Sequence, residues 1–325
     1  MMETNKDKIV LKTLEDAVRV YDDGHCSVRV YTLPYGAGQV NEVIDTVYCE
    51  KGYYIPYHYT DKGAETLLVM KGKVEVTLYG KVCECEAGDF INIPSHCPYS
   101  LRTLEEGVHV RGLYTGLDMA AKYKDFDLIG KNAFPQGQQA DFLANEFGPA
   151  HGHFTLTEPV DTEKAGKADL PQITAKDYAI YEYSGWDGIR CELKVGRWNL
   201  KRVKEVWLFT LGDGCQLQYF KPSRNERVYS VKSGKVKVEV GGEALIAEAG
   251  DLIHIPQYTP FAITAADGEA AFYDLNVSTR LFRMLEMLEL AQRDEPEKPL
   301  DPEWMKWLLG MNDSDLTGFV PGEAV

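Results

Sequence analysis

His58 and Glu65 stand seven residues apart, and Tyr99 follows the apolar stretch that ends at Pro94. An imidazole beside a carboxylate can relay a proton between base and acid, or can hold a divalent cation. A phenol, with an ordinary pKa of about 10, can donate a proton or a hydrogen bond to an oxygen that gains charge. Thr60, two residues past His58, would share its side of a strand and add a hydroxyl. Tyr54, four residues before His58, would share that side as well and offer a ring for a planar substrate. His96, just after Pro94, brings a second imidazole on a loop.

The elements that must position these groups are written twice in the chain. Gly72-Lys73-Val74 recurs as Gly234-Lys235-Val236, and Ala87-Gly88-Asp89-Phe90-Ile91-Asn92-Ile93-Pro94 recurs as Ala249-Gly250-Asp251-Leu252-Ile253-His254-Ile255-Pro256. The offset is 162 in both (234 − 72 and 250 − 88), and six of the eight positions in the longer block are identical. One domain has been duplicated. Within each copy, Val74–Leu78 and Val236–Val240 alternate apolar and polar residues, the pattern of half-buried strands. Glycines bound them, and a Pro ends the apolar strand after each Ala-Gly-Asp. Short strands at this spacing make a small all-β sandwich or barrel.

Helical stretches are expected over 118–123 and 280–288, with a last helix from Asp301 that places Trp304, Trp307 and Leu308 on one face. The expected division is an N-terminal barrel over 1–144, a Gly-, Pro- and Thr-rich connection over 145–172, a C-terminal barrel over 173–278, and a helical segment over 279–325.

Composition narrows the function classes. A length of 325 residues allows two cores, and 44% hydrophobic with 26% charged residues is ordinary for a globular protein. The net charge of −15, with no basic stripe, argues against nucleic acid and anionic membranes as partners. No apolar run approaches a membrane span, and the first residues do not read as a signal peptide, so a cytoplasmic location is expected. The seven cysteines include no CxxC pair and are expected as free thiols; Cys83 and Cys85 would point the same way from one strand. His151-Gly152-His153 has the spacing of a metal-binding pair without a third ligand nearby, and His109 and His254 read as strand residues.

The chain resembles the cupin superfamily. Its first motif is Gly, five residues, His-x-His, three or four residues, Glu, six residues, Gly; here Gly52, His58-Tyr59-Thr60, Glu65 and Gly72 keep that spacing. Its second motif begins with Gly and reaches Pro after five residues, as Gly88 and Pro94 do; Tyr99 falls where a histidine is usual and His96 where a glycine is. Two barrels in tandem, each followed by a short helical segment, are similar to the quercetin 2,3-dioxygenase-like bicupins. The resemblance implies two double-stranded β-helix (jelly-roll) barrels. It also implies a lumen in which three His and one Glu hold iron, manganese, nickel or zinc. Here His58 and Glu65 remain as metal ligands, while Thr60 and Tyr99 replace the other two.

The second copy is an internal control. Adding 162 turns His58 into Phe220, Thr60 into Pro222, Glu65 into Arg227 and Tyr99 into Phe261, so a lumen filled largely by apolar side chains is expected there. The first copy kept polar groups, and converging polar groups in a lumen must pair with each other or with a ligand.

Three functions follow as expectations. The first is a metal-dependent, quercetinase-like dioxygenase acting on an enolisable aromatic or carbonyl substrate, with metal at His58 and Glu65. The second is a metal-free isomerase, lyase or hydrolase in which His58 is the base and Tyr99 the acid, Glu65 assisting, with Tyr54, Thr60 and His96 contacting substrate. The third is a non-catalytic small-molecule-binding bicupin. The His58 strand, apolar on both sides, is expected to be covered by the partner barrel or by a second copy in a homodimer.

Overall fold

The computed structural model describes residues 8–12, 15–22, 24–32, 41–59, 64–115, 155–156, 162–196, 198, 205–219, 227–256, 258–275, 281–294, 303–304, 307–308 and 318–320. The expected helix at 118–123, the His151/His153 pair, Thr60, Phe220 and Pro222 lie outside the described residues.

The N-terminal barrel is two antiparallel sheets face to face. The first holds the strands Tyr54–Tyr59, Tyr99–Thr103, Lys73–Leu78 and Lys81–Glu86 in that order. The second holds Phe90–Ile93, Ala64–Lys71, Val108–Thr115, Asn41–Tyr48 and Cys26–Val30. Alternation along Val108–Thr115 shows how the faces are used. Val108, Val110 and Tyr114 enter the core of this barrel, whereas Leu113 joins a separate core shared with the other barrel.

The C-terminal barrel repeats the plan as one continuous sheet, because Arg227–Val240 and Phe261–Asp274, 14 residues each, run through both of its faces. The expected helix is present as Leu281–Asp294, with Leu281, Met284, Leu285 and Leu288 buried against this barrel. Trp304 and Leu308 pack there too, but Trp307, expected on the same face, is 56% exposed.

The repeat is visible in the backbone. Gly88 and Gly250 both have φ of 97°, in the same Ala-Gly-Asp turn, where a side chain would be strained. Asp89 accepts from the Glu86 amide and Asp251 from the Glu248 amide, fastening the two turns alike.

The barrels are interlocked by exchanged strands. Val10–Leu11 precedes the first barrel yet pairs with Leu252–Ile255 of the second. Ile173–Thr174 precedes the second barrel yet pairs with Phe90–Ile93 of the first. A lysine from each exchanged segment reaches the turn aspartate of its host: Lys12 meets Asp251, and Lys167 meets Asp89 at 2.5 Å. The stretch expected as a plain connection also adds Thr155–Leu156 and Glu163–Lys164 to edges of the first barrel. Barrel boundaries therefore do not coincide with cuts in the sequence, because backbone groups at each barrel's edge are satisfied by chain from the other side of the duplication.

Between the barrels lies an apolar layer containing Val43, Leu68 and Leu113 from one side and Val206, Leu208 and Val228 from the other. A buried polar bolt crosses it. Arg111 donates to both Asp45 carboxylate oxygens at 2.7 Å, and reaches Ser230 and, at 3.3 Å, the Gly250 carbonyl of the second barrel. His109 Nε2 lies 3.0 Å from the same carboxylate, a sheet-bound role as expected for that residue. Burial pushes the Asp45 carboxyl up, but the Arg111 charge and hydrogen bonds outweigh it and hold the pKa at about 2.

Candidate functional site in the N-terminal lumen

Residues opposite each other in an antiparallel pair share a face. His58 is the partner of Tyr99, and Glu65 is the partner of both Ile93 and Tyr114. Tyr99, Ile93 and Tyr114 all belong to the barrel core, so His58 and Glu65 face the lumen, each 1% exposed. Tyr99 joins them: its hydroxyl donates to Glu65 Oε2 at 2.8 Å, and its ring centre lies 4.5 Å from that of His58. The structure thus brings together the three residues read from the sequence as candidate catalytic groups.

The electrostatics define the state of the phenol. Burial first, then the Glu65 charge, the neighbouring Tyr114, the hydrogen bond to Glu65 and Tyr48 all drive the Tyr99 pKa well above 10. Tyr99 is a fixed proton donor, directed at the carboxylate. Cys97, two residues before Tyr99 and in the same core, is fully buried; burial and the Glu65 charge push its thiol up to about 11, against a lowering contribution from Tyr79.

Two candidates are elsewhere than expected. Tyr54 is not in the lumen. The ladder pairs Ile55 with Leu101 and then His58 with Tyr99, so three residues on one strand span two on the other. The facing strand keeps unbroken register with Lys73–Leu78, which places the irregularity within Tyr54–Tyr59 as a β-bulge at Pro56 and Tyr57. Faces exchange across it. Ile55 and Tyr53 pack with the lumen core, while Tyr54 lies opposite Arg102, whose guanidinium sits 4.7 Å from its ring centre on the outside. Pro56 was the available signal, since a residue without an amide hydrogen fits a bulge better than a regular ladder.

His96 is also outside. It adopts φ of 62° in the turn where the cupin motif has glycine, is exposed, and stacks on Tyr59 with ring centres 6.0 Å apart. It does not replace a lumen ligand. The outer side of the His58 strand therefore carries partly exposed Tyr54 and Tyr59, and the partner barrel covers the other sheet instead.

Residues missed from sequence complete the lining. Tyr48, Tyr53 and Tyr114 are each at most 6% exposed within the lumen core, and the Tyr48 and Tyr53 rings are 5.0 Å apart. Tyr114 lies over Gly112, where an added Cβ would come within 2.5 Å of its ring. The alternation Val108, Val110, Gly112, Tyr114 carried that signal.

The second lumen differs at each position. Arg227 takes the place of Glu65, as partner of Ile255, and is buried; Phe261 takes the place of Tyr99 and packs 5.7 Å from Tyr229. The plug is thus aromatic but not wholly hydrocarbon. Opposite Phe261 stands Tyr219, one residue before the Phe220 given by the constant offset.

A divalent metal meets a poor donor set here. Among the described residues no three of His, Cys, Asp and Glu gather to hold an ion. Beyond His58 and Glu65, the next group is a phenol kept protonated and hydrogen-bonded to the carboxylate that would have to bind.

Comparison with known proteins supports the class of fold. Residues 46–114, within the N-terminal barrel, match the sequence profile described as "Cupin domain". The whole chain has the fold of bicupin structures. An oxalate decarboxylase from Lactobacillus farciminis, crystallised as a formate complex, aligns over 82% of this chain and 85% of its own with a TM-score of 0.52 and 15% identity. A single-site variant of oxalate decarboxylase from Bacillus subtilis aligns over 97% of this chain and 89% of its own, with a TM-score of 0.53 and 16% identity. No curated protein sequence is significantly similar to the chain. Among the described residues no helix is long and apolar enough to cross a membrane.

Proposed function

We propose that the N-terminal barrel is the active site of a small-molecule enzyme that moves protons next to a carbonyl, with His58 as base and Tyr99 as acid. The observation that carries this reading is the Tyr99 bridge, in contact with the His58 ring and donating to Glu65 inside a water-poor lumen. His58 would take the proton from carbon. Tyr99, kept protonated by burial and by Glu65, would donate its hydrogen bond to the carbonyl oxygen as charge develops there, turning from the carboxylate toward the substrate. Glu65 would orient the phenol and stabilise the imidazolium formed at His58. The tyrosine-rich lining suits a planar, enolisable substrate such as a diketone or a hydroxylated aromatic ketone.

A second reading keeps the metal. The spacing of His58 and Glu65 and the likeness to oxalate decarboxylases support a divalent-metal enzyme, of which a quercetinase-like dioxygenase is one form. The donor set weighs against it, so no step is assigned to a metal here.

Solvent deuterium exchange into a panel of diketones and flavonols, followed by NMR on metal-stripped protein, separates the readings. Catalysed exchange that survives stripping and falls roughly 100-fold or more in His58→Ala supports proton transfer. Exchange or turnover that appears when iron, manganese, nickel or zinc is restored supports the metal form. Binding without either reaction points to a non-catalytic barrel.

A further inference from the structure

The two barrels differ by one residue in the strand that delivers His58. In the second barrel the ladder from Gln216 to Tyr219 against Thr264 to Phe261 is unbroken. Its Leu217–Ile263 pair is the counterpart of Ile55–Leu101 (217 − 55 and 263 − 101 both give 162). Two steps further on, Tyr219 faces Phe261, and Tyr219 is the counterpart of Tyr57 (219 − 57 = 162), not of His58. Had the first barrel kept this register, Tyr57 would stand opposite Tyr99 and His58 would point to the outside. The bulge removes Tyr57 from that position and substitutes the imidazole.

We propose that Pro56 and Tyr57 are positioning residues that lock the bulged register and thereby aim His58 into the lumen. Pro56 has no amide hydrogen to give to the regular ladder, which disfavours the register of the second barrel. Tyr57 is 7% exposed and packs outside the lumen core, beside the Gly80 hairpin turn; burial raises its phenol pKa and the Gly80 backbone opposes that rise. A one-residue slip would take Tyr57 from this buried place and exchange it for His58 on the inner face. The inference rests on His58 being the working group, but its test reads where the imidazole points, not what it catalyses.

The experiment is modification by diethylpyrocarbonate, with His58 and His254 followed by mass spectrometry in the full-length chain. His254, 7% exposed in the second barrel, reports that the chain is folded. In the Pro56→Val/Tyr57→Phe variant, where the amide is restored and the phenol hydroxyl beside the turn removed, His58 should become roughly tenfold or more reactive while His254 stays protected. Deleting Pro56 supplies the complementary variant. It lets Tyr57 pair with Ser100 and His58 with Tyr99 in a regular ladder, so His58 should stay as protected as in the wild type. The lock is overturned if His58 remains protected in the double variant, or if the deletion exposes His58 while His254 stays protected. A wild-type His58 that is protected yet catalytically silent would sink the functional reading and leave the lock standing.

Discussion

The two barrels share turns, glycine conformations and an exchanged strand, and differ where chemistry would occur. In the first, a histidine aimed by a bulge, a glutamate and a tyrosine converge; in the second, the ladder is regular and arginine and phenylalanine stand in the matching places. The scaffold of a duplicated fold is thus kept at positions of shared backbone conformation, such as the Gly88 and Gly250 turns, while a lumen is rewritten by a few side chains and one shift of register. The comparison also shows that neither barrel is self-contained. Each is completed by chain from the other side of the duplication and joined through Arg111 and Asp45.

The largest expected effect tests that union. Asp45→Ala leaves Arg111 buried without its carboxylate and should cost about 3–5 kcal/mol, measured by urea unfolding, with both barrels lost in one transition. Separate transitions would show that the barrels are independent. The same carboxylate gives a pH dependence. Its folded pKa of about 2 lies below its ordinary 3.8, so its stabilising effect is complete above about pH 4 and is lost as pH falls through 2. Roughly 2 kcal/mol should disappear over that window, and Asp45→Asn should flatten that part of the acid profile.

Exchanging residues between the lumens sharpens the contrast. Tyr99→Phe installs the second barrel's residue in the first and deprives Glu65 of its donor. A loss of about 1–3 kcal/mol is expected, together with loss of whatever proton transfer the barrel performs. Phe261→Tyr, the reverse change, should confer no reaction on the second barrel, because Arg227 stands there in place of the carboxylate. Activity gained by that variant in a chain lacking His58 would contradict the division of labour.

Gly112→Ala probes the space that admits Tyr114. The new Cβ would come within 2.5 Å of the ring, so Tyr114 must move within a packed lumen at a cost of about 1–3 kcal/mol, read as a lower thermal midpoint. The counterpart of Gly112 in the second barrel is Asp274 (112 + 162), which shows that the fold itself does not require glycine there.

Much of this was legible in the sequence. Matched offsets gave the duplication, alternation gave the strands, and motif spacing placed His58, Glu65 and Tyr99 in one lumen. What escaped follows from one physical fact: side-chain direction along a strand is a parity, and a single inserted residue reverses it for every residue on one side. A regular strand would turn Tyr54 inward with His58; Pro56, in its middle, marks the place where the strand is not regular. The constant offset failed by one at Phe220 and Tyr219 for the same reason. The strand exchange escaped because two-residue strands carry no periodic pattern.

The smallest expected effect concerns a turn that both barrels treat alike. His96 and its counterpart Tyr258 (96 + 162) have φ of 62° and 58°, left-handed conformations that cost a side-chain-bearing residue about 1 kcal/mol. His96→Gly removes that cost but also the ring stacked on Tyr59, so the net gain should be below about 1 kcal/mol. Tyr258→Gly should gain a similar amount. Equal gains would mark the turn as shared scaffold, with His96 exposed beside the lumen and not part of its chemistry. A selective loss of proton exchange in His96→Gly, with stability unchanged, would instead move His96 into the working site and make the two turns unlike in function despite their common backbone.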